Sequence, residues 1–269
     1  MSDPTRTAGV AVAAPAVRHT PGMSRTDRVV DGVTAMILDG RLGPGQRLPV
    51  EKDLADALGV SRGSLREGIR ALAVLGVVET RQGDGTYVTA LDPGSLVAPL
   101  GLVVELQAAG HALHVHTVRR LLETEVAGLA AAGARAPGAD LTAARDALAQ
   151  GAEVLARAGS DDPGTSGAGE SGDGLSDHEA LLAADLAFHR ALGALAGNPV
   201  LAALTDAMGG RTARHRLSRG VTEPGAEART QREHEAILDA VAAGDVDRAR
   251  VRMAAHLLAV EDFLRTDAG

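Results

Sequence analysis

The chain has no cysteine and no tryptophan, and only one tyrosine and two phenylalanines among its 269 residues. Without cysteine there is no disulfide framework and no thiolate chemistry. A reducing cytoplasm therefore suits it, and any metal must be held by histidine and carboxylate side chains. An aromatic content of 1% leaves the cores to Leu, Val, Ile and Ala, and removes the platforms on which single-stranded nucleic acid usually stacks. No stretch approaches the roughly 18 apolar residues of a membrane span. Lysine is almost missing as well: Lys52 is the only one, and arginine is the default cation.

What is present is long enough for two domains, since one small core rarely organises this many residues. The opening segment, MSDPTRTAGVAVAAPAVRHTPGM, carries a short Ala/Val stretch broken by Pro15. Two arginines, scattered prolines and no sustained apolar core make residues 1–23 a disordered tail rather than a signal peptide.

The net charge of -8 argues against a nucleic-acid partner until its distribution is considered. Residues 24–90 hold nine basic and nine acidic side chains, whereas residues 91–269 hold sixteen against twenty-five. Only the first half could approach a phosphate backbone without a large repulsive cost.

That half has a readable order. RTDRVVDGVTAMILDG places Val29, Val33, Met36 and Ile37 at helical spacing. After a turn-rich connector, VEKDLADALG predicts a short helix closed by Gly59, and Ser61 caps a following helix whose buried stripe is Leu65, Ile69, Leu72 and Leu75. Two helices joined by a few residues containing glycine form a helix-turn-helix. VVETRQGDGTYVT then predicts two strands around a tight turn at Asp84-Gly85. The whole describes a winged helix-turn-helix at residues 24–90, in which Arg62, Ser64 and Arg66 would face base edges in the major groove. On charge alone those arginines could equally be solvating a helix surface.

GRLGPGQRLPVEKDLADALGVSRGSLREGIRALAVLGVVETRQGDGTYV resembles the DNA-binding domain of the GntR family of bacterial transcription regulators over nearly fifty consecutive residues. The resemblance implies DNA contacts at Lys52, Arg62, Ser64, Arg66 and Gly83. Lys52 stands where the family usually has arginine, so a phosphate contact suits it better than base reading. Gly63 replaces a commoner hydroxyl residue, and Gly68 replaces an alanine inside the recognition helix, at a helix-propensity cost of about 1 kcal/mol.

Beyond residue 90 an apolar linker (91–110) leads to an all-helical bundle (111–269), interrupted by a loop of low apolar content at residues 159–176. The first long helix would turn Val118, Leu121, Leu122, Val126 and Leu129 inward. Asp185 and His189 lie four residues apart, and His234 and His256 lie on two later helices, 45 and 22 residues after the preceding histidine of the set. Such a set could converge on Zn²⁺, or equally Ni²⁺, Co²⁺ or Mn²⁺, or could be solvated and core-edge histidines. DLAFH, GNP, EHEAI and MAAH in that order resemble the FCD effector domain of the FadR branch of the same family. That resemblance implies a divalent metal held by Asp185, His189, His234 and His256, a small organic acid as effector and a homodimer on a pseudo-palindromic operator.

Arg119 is by the same resemblance the candidate clamp for the acid; a salt bridge to Glu123 one turn on is the alternative. His111, His114 and His116 read as an exposed helix start, one of which could approach the effector pocket. A zinc hydrolase is disfavoured, because Leu238 stands where the second histidine of HExxH belongs. An acyl-CoA sensor would dispense with the metal and need a long apolar groove. The expected protein is mainly α, cytoplasmic, not an enzyme, and a ligand-responsive repressor.

Overall fold

The computed structural model describes residues 23–95, 97, 112–160 and 173–267. The chain divides into two compact units, Met1–Pro99 and Leu100–Gly269. Nearly all of the expected tail (1–23) and most of the linker (91–110) and loop (159–176) lie outside the described residues, although Asp173 onward is already helical.

The first unit is α1 (Arg25–Leu38), α2 (Glu51–Leu58), α3 (Arg62–Val74), β1 (Val78–Arg81) and β2 (Gly85–Val88). Ser24 and Asp27 form a reciprocal capping box at the start of α1. Gly59, at a φ of 64°, closes α2 in the left-handed conformation that lets the chain turn directly into α3. The Ser61 hydroxyl accepts the backbone N–H of Ser64 (3.1 Å) and caps α3. Val29, Val33, Met36, Leu54, Leu65 and Leu72 form the core. Leu75 does not join it: it is the C-cap of α3 and is 47% exposed. Two turns earlier on α3, Gly68 is buried between Leu65 and Leu72, and Val29 of α1 packs against it. The strands pair antiparallel, Val78 opposite Val88 and Arg81 opposite Gly85. The turn between them is centred on Gly83 (φ 75°) rather than on Asp84-Gly85. Gly85 instead opens β2 where a side chain would meet Arg47 at 2.7 Å.

Every element of the second unit among the described residues is helical: α4 (Ala112–Gly133), α5 (Thr142–Ser160), α6 (Asp173–Leu195), α7 (Pro199–Arg211), α8 (Ala213–Thr222), α9 (Ala226–Ala242) and α10 (Val246–Asp267). α4 lies along α10, and α5 along α6. The core gathers Val126, Ala127, Ala130, Phe188, Leu192, Ile237, Met253 and Leu257. The inward face of α4 differs from its apolar periodicity. Val118 and Leu121 are 41% and 62% exposed, while His116, Arg119 and Glu123 are buried and continue the stripe of Val126 and Ala130 one turn at a time. Arg119 and Glu123 on that stripe pair with each other and, through Glu123, with His189, a buried charge network that outranks the two exposed aliphatic side chains in setting the helix's rotation. His116 is thus fully buried rather than part of an exposed helix start; His114 is exposed, and His111 lies outside the described residues.

Gly68 permits a test in which two effects have opposite signs. A Cβ at this position would lie 2.5 Å from Cβ and Cγ1 of Val29, whose branched side chain is fixed in the core. Helix propensity alone favours Gly68→Ala by about 1 kcal/mol, but overpacking of this kind costs about 1–3 kcal/mol. We expect Gly68→Ala to lower the denaturation midpoint of the first unit; a raised midpoint would show that α1 and α3 separate at little cost.

Candidate functional site

The inner face of α6 is set by Ala184, Phe188 and Leu192, all buried, and the same face carries Asp185 and His189. α9 brings His234 and α10 brings His256 to it, and one donor atom from each of the four lies within 4.8 Å of all the others. His234 Nε2 stands 3.3 Å from His256 Nε2. Asp185 Oδ1 stands 3.6 Å from His234 Nε2 and 3.8 Å from His189 Nε2. Metal–nitrogen bonds of about 2.0–2.1 Å place tetrahedral ligand atoms roughly 3.4 Å apart, so the donor spacing suits an ion of zinc's size.

The far sides of two imidazoles are engaged. His256 Nδ1 donates to Glu233 Oε2 at 2.8 Å, and His189 Nδ1 is in close contact with Glu123 Oε2. Carboxylates on the outer nitrogens put the proton there and leave the Nε2 lone pairs facing the centre, the arrangement common behind metal-bound histidines. Phe188 stacks on His234 with ring centroids 4.5 Å apart and fixes that ring's plane. Burial, and then the positive fields of His256, His189, Arg216 and Arg119, hold His234 well below 6.5. Burial likewise pushes His256 from 6.5 to about 4, with the Glu233 hydrogen bond opposing and His189 and Arg119 reinforcing. Both are therefore neutral near pH 7, the form that ligates. Burial alone would raise Glu123, but the charges and hydrogen bonds of Arg119 and His189 outweigh it and hold the carboxyl well below its ordinary 4.5.

Arg119 is fully buried. Its Nε pairs with Glu123, Nη1 approaches Thr212 Oγ1 at 3.4 Å, and Nη2 has no hydrogen-bond partner. The salt bridge to Glu123 is thus real and wholly interior. Beside the four-residue cluster is a cavity of about 60 Å³ whose lining includes Asp185, His234, His256, Arg216, Arg219 and His178. His178 Nδ1 meets Glu227 Oε1 at 2.6 Å. Glu233 and Arg216 did not stand out in the sequence. Glu233 was masked by its place in EHEAI, and Arg216 by an arginine-rich run in which nothing marks one arginine as interior.

In the first unit Lys52, Arg62 and Arg66 are exposed and Ser64 is half-buried on the outer face of α2 and α3, and Gly83 lies at the wing tip with open space around it. Arg66 is held in a forked pair by Glu51, with Nε 3.1 Å and Nη2 3.0 Å from Oε2. The groove between α3 and the wing is also lined by Arg47, Arg70 and Arg81, three cations that sequence reasoning did not single out.

A capped recognition helix beside a two-stranded wing, on a separate unit from an all-helical domain, has the form of a DNA-binding regulator. Residues 25–88 match the family described as bacterial regulatory proteins, gntR family, and residues 114–259 match the FCD domain. The HTH-type transcriptional regulator LutR of Bacillus subtilis (strain 168) is 34% identical over 85% of this chain and 96% of its own length. A protein of Escherichia coli (strain K12) named as an L-lactate dehydrogenase operon regulator is 29% identical over 89% of this chain and 86% of its own. The solved structure of a GntR protein from Streptococcus agalactiae, 23% identical, shares the fold with a TM-score of 0.56 over 88% of this chain and 99% of that one. The chain belongs to the GntR family and carries its FCD domain. It is a DNA-binding transcription regulator; its relatives are regulators rather than enzymes. No helix among the described residues is long and apolar enough to cross a membrane.

The lowered pKa of His256 gives a pH dependence with a definite sign. Between about pH 6.5 and pH 4 the unfolded chain takes up a proton that the folded, metal-free protein refuses, so stability falls as pH falls through that window. A difference of this size is worth about 3 kcal/mol in all, and Glu123 adds a loss in the same direction at lower pH. The urea midpoint of chelator-treated protein should drop steadily from about pH 7 to about pH 5; a flat profile would contradict the burial of a neutral His256.

Proposed function

We propose that the FCD domain binds one divalent metal through Asp185, His189, His234 and His256, and that a small carboxylic acid engaging this site modulates operator binding by the winged helix. The observation that carries the reading is the convergence of three imidazole Nε2 atoms and one carboxylate oxygen, two of the imidazoles held from behind by Glu123 and Glu233. The donor set fits Zn²⁺ first, with Ni²⁺, Co²⁺ and Mn²⁺ compatible, because geometry and supply rather than affinity select among them. When bound, such an ion supplies Lewis-acid coordination for a carboxylate. The protein's own groups orient the ligands, keep the pocket small and provide cations: Arg216 and Arg219 line the cavity, and Arg119, the clamp implied by the family resemblance, keeps an unpartnered Nη2 in the interior outside that lining. A cavity of about 60 Å³ suits a molecule of a few heavy atoms and not an acyl chain, which disfavours an acyl-CoA sensor. One relative's name refers to an L-lactate dehydrogenase operon, which makes L-lactate the first acid to try.

On the DNA side Arg62, Ser64 and Arg66 read base edges, while Lys52 and Gly83 contact the backbone. Two copies of the chain engage two half-sites of a pseudo-palindrome, so that one modest recognition helix gains affinity by pairing. Binding in the cytoplasm and release of repression by the acid complete the reading. The acid can move the balance only through a difference in affinity between the DNA-competent and released states.

The test uses a duplex selected by the protein from a random-sequence pool and read by fluorescence anisotropy. Arg62→Ala should weaken binding about 10- to 100-fold, the equivalent of 1–3 kcal/mol for a lost bidentate base contact. L-lactate should weaken binding by the zinc-loaded wild type and leave the chelator-treated protein unaffected. Undiminished binding by Arg62→Ala would overturn the DNA assignment, and a panel of small acids without effect would overturn the sensor.

A further inference from the structure

Asp185 divides its carboxylate between two partners. Oδ1 faces the imidazoles of His189 and His234, whereas Oδ2 is in close contact with Nη1 of Arg216. Arg216 projects from α8 with its side chain 8% exposed. Its Nη2 donates to the carbonyl of Gly209 at 2.7 Å, and its buried Nε has no hydrogen-bond partner. Arg216, Asp185, His234 and His256 line the same cavity. Arg119, by contrast, is not part of that lining and is committed to Glu123.

The buried charges give this arrangement a consequence. Glu123 is paired with Arg119, and Asp185 with Arg216, so each of these two carboxylates already has a guanidinium beside it. A divalent cation at the four donors adds two positive charges next to a guanidinium that already occupies one side of the only carboxylate in the donor set. In a poorly hydrated site that repulsion is weakly screened. An anion in the cavity relieves it from both sides, by ligating the ion and by accepting the N–H that Arg216 has to spare; a charged, planar donor is well matched to a carboxylate.

We infer that Arg216 makes metal and anion binding mutually dependent: the ion is held tightly only together with a small carboxylate that accepts a hydrogen bond from Arg216. This rests on the proposed metal site and adds that the arginine, rather than the four ligands alone, sets the affinity for the ion and selects an anionic co-ligand. Coupling is reciprocal, so the ion raises anion affinity by the same factor.

Isothermal titration of the full-length, chelator-treated protein with Co²⁺, in acetate and in chloride of equal ionic strength, tests it. We expect acetate to tighten Co²⁺ binding to the wild type by about tenfold or more, within the usual range of coupling between two sites. Arg216→Gln should bind Co²⁺ in chloride more tightly than the wild type and lose most of the acetate effect. Arg216→Lys, which keeps the charge and loses the planar fork, should still bind Co²⁺ weakly in chloride and show a reduced acetate effect. Cooperative thermal melts identify a variant that fails to fold, in which case the wild-type comparison decides alone. Tight Co²⁺ binding that is equal in both buffers overturns this inference and leaves the metal site standing, as does a folded Arg216→Gln that keeps the full acetate effect. No Co²⁺ binding in either buffer overturns both.

Discussion

The imidazoles of His189, His234 and His256, the carboxylates of Asp185 and Glu123 and the guanidiniums of Arg119 and Arg216 are buried together inside one helical bundle, and the cost of leaving such groups without partners constrains everything around them. It fixes the rotation of α4, whose Arg119 and Glu123 face inward where its apolar pattern would have put Val118 and Leu121. It fixes the ring planes of His189 and His256 through Glu123 and Glu233, and it draws Arg216 of α8 onto Asp185. An apolar core of the same volume would be no less stable and far less expensive to assemble. The proposed cation gives this interior charge a purpose, because the Nε2 atoms of His189, His234 and His256 gather with Asp185 at one point.

The second constraint is the separation of tasks between two electrostatically different units. The DNA-binding unit has no net charge to oppose a phosphate backbone, and its cations are concentrated on α3, the wing and the strand entry at Arg47. The acidic excess lies wholly beyond residue 90. Arg66 is paired with Glu51 at the surface; an exposed pair of this kind is worth only about 0–1 kcal/mol, so it does not tie Arg66 down against the proposed contact with DNA.

Much of this was legible in the sequence because it is carried by local rules. Caps at Ser24 and Ser61, a left-handed Gly59 and a strand-turn-strand pattern outline the winged helix, and an i, i+4 pair plus two helix-borne histidines outline the four-donor cluster. Periodicity fails where polar residues take apolar positions: Val118 and Leu121, expected inward, are exposed, while His116, Arg119 and Glu123 hold the inner face above Val126. Arg216 and Glu233 were invisible for a related reason, since their importance comes from partners on other helices and has no local signal. Gly68 looked like a defect of the recognition helix and is a contact, because only its missing Cβ lets Val29 of α1 approach. The wing turn moved by two residues for conformational reasons: Gly83, rather than Gly85, takes the left-handed position, and Gly85 leaves room for Arg47.

The measurement that bears most directly on the bundle's purpose is the metal content of purified protein, wild type beside His189→Ala/His234→Ala, after reconstitution with Zn²⁺ and gel filtration. About one ion per chain in the wild type, and none in the folded double variant, is the result this structure calls for. A wild type that emerges metal-free would mean that the four residues satisfy one another without an ion, and that the regulator responds to something else.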